Sequence, residues 1–498
     1  MQPTFEARAR YLPILLREIR DDLFNYAIPE MSTGDAKEHI QFAHMVLDHY
    51  AADVEVQHEL ARDFSGEYVA LITEVENQLS ITGVAVNASE GIEALRTRLT
   101  DAIARLCEYG LKGATEAKTS ARLRSKIVTL ESRLKQTVIA AQQKAGYKPP
   151  SAAKLPARRI TVESLSFCLR RHFPALPPDP VLNVTILPGG RSKRTVFATL
   201  RPNEVLPTEV VIRQDMPGGP VDTTDGVTSV AREFPVLCAL VGKGLPIATP
   251  LLMEYEESEC GASFMMVNRL DGVAPGTFFG FFTPRDPETQ SAVRDMAKVL
   301  AKLHSIDPAT LNLPEDPRKT PEARLLHEVE YRWNKWSRDA HRPSPIMECA
   351  LARLRAESKP GVGETALVHG DTLSHNLLIK EGKVTALLDW EFVHVGDPAQ
   401  DLAYCRHAVE QCIPWDEFMS IYVAAGGKPV SEKRLAIYGL VGMVRNCSFS
   451  ATCMRLVTTG ESNDLTVGAS GIFAVALMEP QIVALLEKLD LLDSGEKT

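Results

Sequence analysis

The chain has 498 residues, too many for one ordinary domain core, so two or three compact units are expected. Apolar residues make up 45% of it and charged residues 24%, which is typical of a soluble globular protein and excludes wholesale disorder. The net charge of −9 argues against a nucleic-acid partner, because nucleic acid is usually bound by a basic face.

The cysteines and the apolar runs indicate the environment of the chain. Nine cysteines are dispersed without a C-x-x-C pair, so we expect reduced core thiols in a cytoplasmic protein, and neither a disulfide frame nor a zinc site. The N-terminal residues lack a basic start followed by an uninterrupted apolar run, which argues against a signal peptide. No apolar stretch is long enough to span a bilayer, so we expect no membrane partner.

Apolar residues recur at helical spacing through the first third of the chain. We predict three or four amphipathic helices there, which form an all-α accessory domain over residues 1–146. The last of these helices carries an apolar stripe made of Leu123, Ile127, Leu130, Leu134 and Val138. Such a stripe serves either a homodimer or packing against neighbouring helices, and packing is favoured.

A proline-rich segment, residues 147–159, follows the helices. Its three prolines indicate an extended linker, since proline fixes φ and lacks a backbone donor. The β-rich runs VLNVTIL, RTVFATL and EVVIR come next, within residues 160–270. Between the first two runs lies Gly189-Gly190, a turn whose N–H groups can approach phosphate, although such a turn is more often an ordinary hairpin.

The stretch from Ala366 to Tyr404 concentrates oxygen-bearing side chains. One short apolar run leads to Asp371, and a second run, Val384 to Leu388, ends on Asp389, with Asn376 in the loop between. This arrangement suits phosphoryl transfer, in which a protein mainly positions groups and stabilises charge. Asp371 fits the group that takes the proton of the attacking hydroxyl. Asn376 and Asp389 fit ligands of Mg2+ arriving with ATP, because Mg2+ prefers hard oxygen ligands.

Three motifs of this stretch carry a family resemblance. H-G-D-x-x-x-x-N begins at His369, D-W-E at Asp389 and G-D-P-x-x-D-L-A at Gly396. In this order they resemble the aminoglycoside phosphotransferase and choline kinase-like family of small-molecule kinases. The resemblance implies an α+β, two-lobed protein-kinase-like fold after the helical domain, with a β-rich nucleotide-binding N-lobe over residues 160–270 and an α-rich catalytic C-lobe over residues 271–498. The alternative is a hairpin whose aspartates only cap turns.

The resemblance extends to the glycine-bearing turn. The residues around Ser192 are similar to the family pattern g-G-x-S-N-x-T-y, with Lys193 where Asn is common. This similarity implies that Gly189, Gly190 and Ser192 contact the phosphates of ATP.

The third strand and the strand that joins the lobes also take part in the resemblance. Arg213 occupies the position where aminoglycoside kinases carry Lys to hold the α- and β-phosphates, and Glu233 on the following helix is its expected partner. The arginine shifts the resemblance towards the kinases associated with acyl-CoA dehydrogenases, whose strand resembles V-L-R-x-x-P. The backbone of Met266 to Asn268 is expected to contact the nucleotide.

The preferred hypothesis is therefore an ATP- and Mg-dependent kinase that phosphorylates a hydroxyl of a small molecule, such as a catabolic alcohol, a hydroxy acid or a hydroxyacyl-CoA. Arg213 and the lack of an acidic cluster in the C-terminal helices disfavour an aminoglycoside acceptor, which stays the alternative. A second alternative is an ATP-binding regulatory protein that acts through the N-terminal helices. The sequence contains no Walker A motif, metalloprotease helix or G-x-S-x-G elbow, so these enzyme classes lack support.

Overall fold

The structure is a computed structural model, and part of the chain is described in it. The described residues are 47, 60, 63–81, 86, 91–110, 112–144, 160–187, 193–215, 229–255, 260–276, 282, 285–311, 321–340, 344–358, 364–459 and 465–494. The predicted linker, residues 147–159, lies outside them, as do the predicted phosphate contacts Gly189, Gly190 and Ser192.

Helices and strands are numbered here in chain order. The helices are α1 (Ile92–Gly110), α2 (Ala114–Lys144), α3 (Val162–His172), α4 (Val230–Leu240), α5 (Pro287–His304), α6 (Pro321–Asp339), α7 (Pro345–Glu357), α8 (Ala399–Glu410), α9 (Trp415–Ala424), α10 (Glu432–Thr458) and α11 (Leu465–Ser494). A further helical segment covers residues 63–78. The strands are β1 (Val181–Leu187), β2 (Lys193–Leu200), β3 (Glu209–Asp215), β4 (Pro250–Glu254), β5 (Phe264–Asn268), β6 (Ala366–Val368), β7 (Leu377–Lys380), β8 (Lys383–Leu387) and β9 (His394–Gly396). Among the described helices, none combines the length and apolar character needed to cross a membrane.

The chain divides into two compact units whose segments alternate along the sequence. The helical unit contains Met1–Ala153, Leu326–Lys359 and Leu440–Thr498, and the sheet unit contains Lys154–Leu325 and Pro360–Gly439. An all-α part therefore precedes the sheet, as expected. The division differs from the predicted boundaries, because the second and third segments of the helical unit were expected in the C-lobe. Apolar periodicity shows which face of a helix is buried, but not which helix covers it.

The long helix α2 packs its apolar stripe inside the helical unit. Leu123, Ile127, Leu130 and Leu134 are buried, and α2 contacts α1, α7 and α11. The side chain of Val138 lies outside the described residues. The described part of the stripe is thus covered within the chain, and the homodimer stays a prediction.

A charged cluster lies within the helical unit. Glu131 on α2 has no exposed surface, and Arg96 on α1 donates to it from Nε and Nη2 at 3.1 and 2.8 Å. The Tyr68 hydroxyl donates to the same carboxylate, and burial raises the pKa of that hydroxyl, so it remains a donor. Because the Arg96 and Glu131 charges compensate each other away from water, removing one leaves the other unpaired.

We predict that Arg96→Ala lowers the free energy of unfolding by about 3–5 kcal/mol, because it leaves the Glu131 carboxylate buried without its cation. Urea unfolding of the full chain followed by circular dichroism measures this loss. Arg122→Ala is the matched control, since Arg122 forms an exposed ion pair with Glu74 and its removal should cost about 1 kcal/mol or less. Equal losses in the two variants would contradict the prediction.

The sheet unit is built on a five-stranded antiparallel sheet with the strand order β1-β2-β3-β5-β4. Side chains alternate between the two faces of a strand. Val196, Ile212 and Met266 lie on one face and pack in a core with α3. Lys193 and Arg213 belong to the opposite set, because the register pairs Thr195 with Arg213 and Lys193 with Asp215. One face of the sheet thus packs against α3, and the other face carries Lys193 and Arg213.

A second core includes residues of β4 and β5 on the other face of the sheet. It joins α4, α5, α8 and α9 to the short strands β6, β7 and β8, with Trp390 and Phe418 among its largest buried side chains. The predicted α+β architecture, a β-rich part followed by an α-rich part, is confirmed.

Candidate active site

The hairpin of β7 and β8 brings two predicted metal ligands to one end. Leu377 pairs with Leu387, so Asn376, which precedes β7, lies opposite Leu388. The Leu388 N–H donates to the Asn376 carbonyl at 2.8 Å, and Asp389 follows directly. Antiparallel pairing therefore places Asn376 beside the start of the D-W-E motif, as the spacing of the motifs predicts.

Asp401 on α8 holds the loop that precedes this hairpin. The backbone N–H groups of His369 and Gly370 each donate to its carboxylate at 2.8 Å, and His304 Nε2 lies 3.1 Å from it. Burial alone would raise the pKa of Asp401, but the hydrogen bond and charge of His304 outweigh it, so the pKa lies below its usual value. Asp401 and His304 therefore hold the loop.

Gly370 meets a steric constraint at the bend of the loop. Its φ is +85°, and a Cβ added there would lie 2.7 Å from the backbone oxygen of Phe392. A residue with a side chain would therefore be strained in backbone conformation and would clash with neighbouring backbone. The glycine allows the chain to turn sharply just before Asp371.

Asp371 is oriented by two neighbours. Asn376 Nδ2 donates to its Oδ2 at 2.8 Å and to its backbone carbonyl at 3.0 Å. The Asp371 N–H donates to His369 Nδ1 at 3.2 Å, while His369 Nε2 lies 2.9 Å from the Leu388 carbonyl. Because Nδ1 accepts, Nε2 must carry the proton and donate to that carbonyl. His369 thus ties the loop to the end of β8.

Asp389 pairs with the cation of the third strand. Its Oδ1 lies 2.9 Å from Arg213 Nη2. Its φ of +63° is left-handed, a conformation that aspartate tolerates better than most residues and that is frequent at functional sites. The structure therefore joins β3 directly to the D-W-E motif.

Lys193, on the neighbouring strand β2, forms the second charged contact. Its ammonium pairs with Glu391, and it lies 3.8 Å from Glu233 Oε2. Glu233 Oε1 also accepts the Trp390 N–H at 3.1 Å. The cation beside Glu233 is thus Lys193, so the expected Arg213–Glu233 pair is not the contact that the structure shows. Both cations lie on one face of the sheet, and the sequence does not show which of them reaches the helix carboxylate.

Five charged side chains lie together here and shift each other's pKa values: Lys193, Arg213, Glu233, Asp389 and Glu391. Burial raises the pKa of Asp389, but Arg213 and Lys193 outweigh it and bring this pKa to about 2. Burial and the charge of Asp389 raise the pKa of Glu391 to about 7, against the opposing charge of Lys193. Burial lowers the pKa of Lys193, but Glu391 and Glu233 outweigh it and raise it. Asp389 is therefore ionised at neutral pH, whereas Glu391 gains or loses its proton near neutral pH.

The predicted nucleotide contacts Met266 and Asn268 lie on β5, between β3 and β4 of the sheet. Met266 is on a strand paired on both sides, opposite Ile212 of β3 and Leu252 of β4. The Asn268 N–H donates to the Thr249 carbonyl, and its Oδ1 accepts the Thr249 N–H at 2.6 Å. Strand pairing uses the Met266 backbone, and the Asn268 N–H is bound to Thr249, while the expected contact of this segment with the nucleotide stays a prediction. Sequence identified the strand but not its position between two others.

The sequence missed Lys193 as a functional side chain. It was noted only as a departure from a family pattern that has Asn there. The available signal was its place at the start of a strand whose alternate residues are apolar, which puts Lys193 and Thr195 on one face.

Residues 183–437 match the family model described as the phosphotransferase enzyme family, APH. The match covers about half of the chain, and the chain belongs to this family. The predicted enzyme class, a phosphotransferase of the small-molecule kinase type, is confirmed.

The relatives of the chain are partial matches. Acyl-CoA dehydrogenase family member 11 of Mus musculus is 28% identical over 292 residues, which cover 57% of this chain and 36% of that protein. Acyl-CoA dehydrogenase family member 10 of Mus musculus is 29% identical over 184 residues, 35% of this chain and 16% of that protein. The chain thus spans about a third or less of the length of these relatives, and the resemblance to kinases associated with acyl-CoA dehydrogenases is confirmed.

A solved structure shares the fold. The crystal structure of a candidate aminoglycoside phosphotransferase from Ralstonia eutropha has a TM-score of 0.51 and 20% identity, covering 66% of this chain and 99% of that one. At this identity the likeness concerns the fold alone, and the predicted protein-kinase-like fold is confirmed.

We predict that Glu391→Gln removes one component of the pH dependence of stability. The pKa of Glu391 is raised from 4.5 to about 7 in the folded protein, so the folded state holds a proton that the unfolded state loses in this window. Stability contributed by the group is present below the lower value and is lost as pH rises through the upper one. The wild type should therefore lose about 3 kcal/mol across this window relative to the variant.

Thermal and urea unfolding at several pH values across the window measure this difference. Glu381→Gln, on the exposed turn between β7 and β8, is the control and should keep the wild-type profile. A Glu391→Gln profile parallel to that of the wild type would contradict the assignment.

Proposed function

We propose that this chain transfers the γ-phosphoryl group of ATP to a hydroxyl of a small molecule. The observation that carries the proposal is a juxtaposition: the loop held by Asp401 and the β7–β8 hairpin bring Asp371, Asn376 and Asp389 together, and Arg213 reaches them from the sheet. Phosphoryl transfer needs these four functions, a hydroxyl-positioning carboxylate, two oxygen ligands and a cation, at one place.

Asp371 is assigned to the acceptor hydroxyl. The 2.8 Å bond from Asn376 and the contact with His369 fix its carboxylate and backbone before any acceptor binds. A carboxylate held in this way can take the proton of the attacking hydroxyl as its oxygen bonds to phosphorus. Asp371 is therefore the proposed catalytic base.

Asn376 and Asp389 are assigned to Mg2+. Amide and carboxylate oxygens are the hard ligands that this ion prefers, and the low pKa of Asp389 keeps its carboxylate ionised. Asn376 uses its Nδ2 on Asp371, which leaves Oδ1 as the ligand atom. Arg213 contacts Oδ1 of Asp389, so we assign Oδ2 to the metal. When bound, Mg2+ supplies positive charge to the phosphates.

The cations have different assignments. Arg213 is less enclosed than Lys193, with 19% of its side chain exposed against 1%, and its planar guanidinium suits phosphate oxygens. Lys193 touches Glu233 and Glu391, so it acts as a positioning residue between β2, α4 and the D-W-E motif. The backbone of Gly189 and Gly190, with Ser192, remains assigned to the phosphates by family resemblance. The backbone of Met266 to Asn268 likewise remains assigned to the nucleotide.

The acceptor we favour is a hydroxyacyl-CoA, a hydroxy acid or a related catabolic alcohol. The chain matches parts of proteins named as acyl-CoA dehydrogenase family members, which favours an acceptor from acyl-CoA chemistry. Arg213 in place of Lys points in the same direction. Aminoglycosides remain the alternative acceptors. The ordered set of Asp371, Asn376 and Asp389 favours turnover over the regulatory alternative.

We predict that Asp371→Asn lowers phosphoryl transfer by about 10²–10⁴-fold while ATP still binds, because general-base catalysis contributes a factor of this size. The measurement is coupled ADP release with an acceptor found by screening hydroxylated CoA thioesters, hydroxy acids, alcohols and aminoglycosides. Asp271→Asn, an exposed aspartate of the same unit, should retain wild-type activity. Full turnover by Asp371→Asn would rule out its role, and a response to aminoglycosides alone would reverse the ranking of acceptors.

We predict that Arg213→Met weakens binding of Mg-ATP by about 10–100-fold, the value of one hydrogen bond to a charged group. Isothermal titration with a non-hydrolysable ATP analogue measures the affinity. Arg269→Met, which removes an exposed guanidinium from the same unit, is the control. An unchanged affinity in Arg213→Met would separate Arg213 from the phosphates.

A further inference from the structure

A cluster of metal-binding side chains lies on the apolar face of the sheet, where α3 packs. Cys168 and His172 are four residues apart on α3, so they share one side of the helix. Glu254 is the last residue of β4, and its Oε2 lies 3.2 Å from Cys168 Sγ and 3.0 Å from His172 Nε2. One donor atom from each of the three residues lies within 4.8 Å of the other two.

A second thiol adjoins one member of this cluster, Cys168. The thiol of Cys260, which precedes β5, is a hydrogen-bonding neighbour of the Cys168 thiol. Cys168 and Cys260 are fully buried, Glu254 is 4% exposed, and the His172 side chain is one-third exposed. One sulfur, one nitrogen and one oxygen therefore meet at one place, with the Cys260 sulfur beside that of Cys168, and the partly exposed imidazole opens this place to solvent.

The distances suit a tetrahedral ion. Zinc bonds sulfur at about 2.3 Å and nitrogen or oxygen at about 2.0–2.2 Å, which sets neighbouring ligand atoms roughly 3.3–3.7 Å apart. The two distances from Glu254 Oε2 differ from this range by a few tenths of an ångström. Thiolate and imidazole donors favour zinc over Mg2+ or Ca2+. We propose that Cys168, His172 and Glu254 form a Zn2+ site, with the Cys260 thiol adjoining it.

Arg171 is the neighbour that must make room. Its guanidinium pairs with Glu254 Oε2 and lies 4.0 Å from Cys168 Sγ. The Arg171 side chain is 41% exposed, so it can turn to solvent when a dication takes the carboxylate oxygen. The two cations compete for Glu254, so removing Arg171 strengthens zinc binding.

The site joins parts of the sheet unit that are distant in sequence. Cys168 and Glu254 are 86 residues apart, and β4 lies at the edge of the sheet. An ion bound to the folded chain and not to the unfolded one stabilises the fold by mass action. The site is separate from the phosphoryl-transfer residues, so its test does not depend on the proposed function.

The test uses the full chain, reduced and freed of metal with a chelator. Titration with Co2+ should give the visible bands of tetrahedral cobalt and a thiolate-to-cobalt charge-transfer band at one ion per chain, and Zn2+ should displace it. Zn2+ should also raise the midpoint of thermal unfolding. No cobalt–thiolate band, or a Cys168–Cys260 disulfide under these reducing conditions, would overturn the proposal.

Variants locate the ion. His172→Ala and Cys168→Ser should each weaken Zn2+ binding at least tenfold, whereas Arg171→Ala should tighten it. His172 is partly exposed, so His172→Ala tests the site even if the cysteine variant fails to fold. Cys238→Ser, an exposed thiol on α4, should bind as the wild type does. Unchanged affinity in His172→Ala and Arg171→Ala would place the ion elsewhere and overturn the site.

Discussion

The buried carboxylate of Asp401 is the constraint on which the catalytic loop depends. It accepts the N–H groups of His369 and Gly370 and is paired with His304, while none of its surface is exposed. A carboxylate can stay charged in such a place only because protein donors replace water. The position of Asp371 is therefore fixed by Asp401, which binds the backbone of the two residues before it. This separates the group that fixes the geometry from the group proposed to perform the chemistry.

A second constraint is the charge balance above that loop. Three carboxylates and two cations meet there, so full ionisation would leave one uncompensated negative charge, and the raised pKa of Glu391 relieves it. Burying such a cluster gives little stability compared with apolar packing. What it provides is a fixed connection: Lys193 links β2 to Glu233 and Glu391, while Arg213 pairs with Asp389. The two cations, on neighbouring strands, thus contact different carboxylates of the cluster.

The spacing of residues along the chain was enough to predict the part of the site formed by the catalytic loop and the β7–β8 hairpin. The bend at Gly370, the loop to Asn376 and the run ending at Asp389 are set by short-range geometry, since an antiparallel hairpin brings its two ends together. The residues expected to act together, Asp371 and Asn376, are indeed in contact.

Contacts between distant segments could not be predicted in the same way. The partner of Glu233 depends on the register of β2 against β3, and the backbone of Met266 is used because β5 lies between two strands. The helical unit shows the same limit on a larger scale. A segment ending at residue 146 was expected to be a domain, yet α2 packs against α7 and α11, which follow about two and three hundred residues later.

The helical unit is made of three separate segments of the chain, and its core draws on more than one of them. Among the described residues, the long helix α2 packs against α1, α7 and α11, so part of the cover of its apolar stripe comes from segments much later in the chain. The buried Arg96–Glu131 pair joins α1 and α2 within this unit. A buried ion pair is tolerated only when its surroundings exclude water and satisfy its remaining hydrogen-bonding groups. The first segment is therefore not a module attached ahead of the sheet unit. The described helices α1 and α2 share their core with α7 and α11, whose segments flank the catalytic loop in sequence.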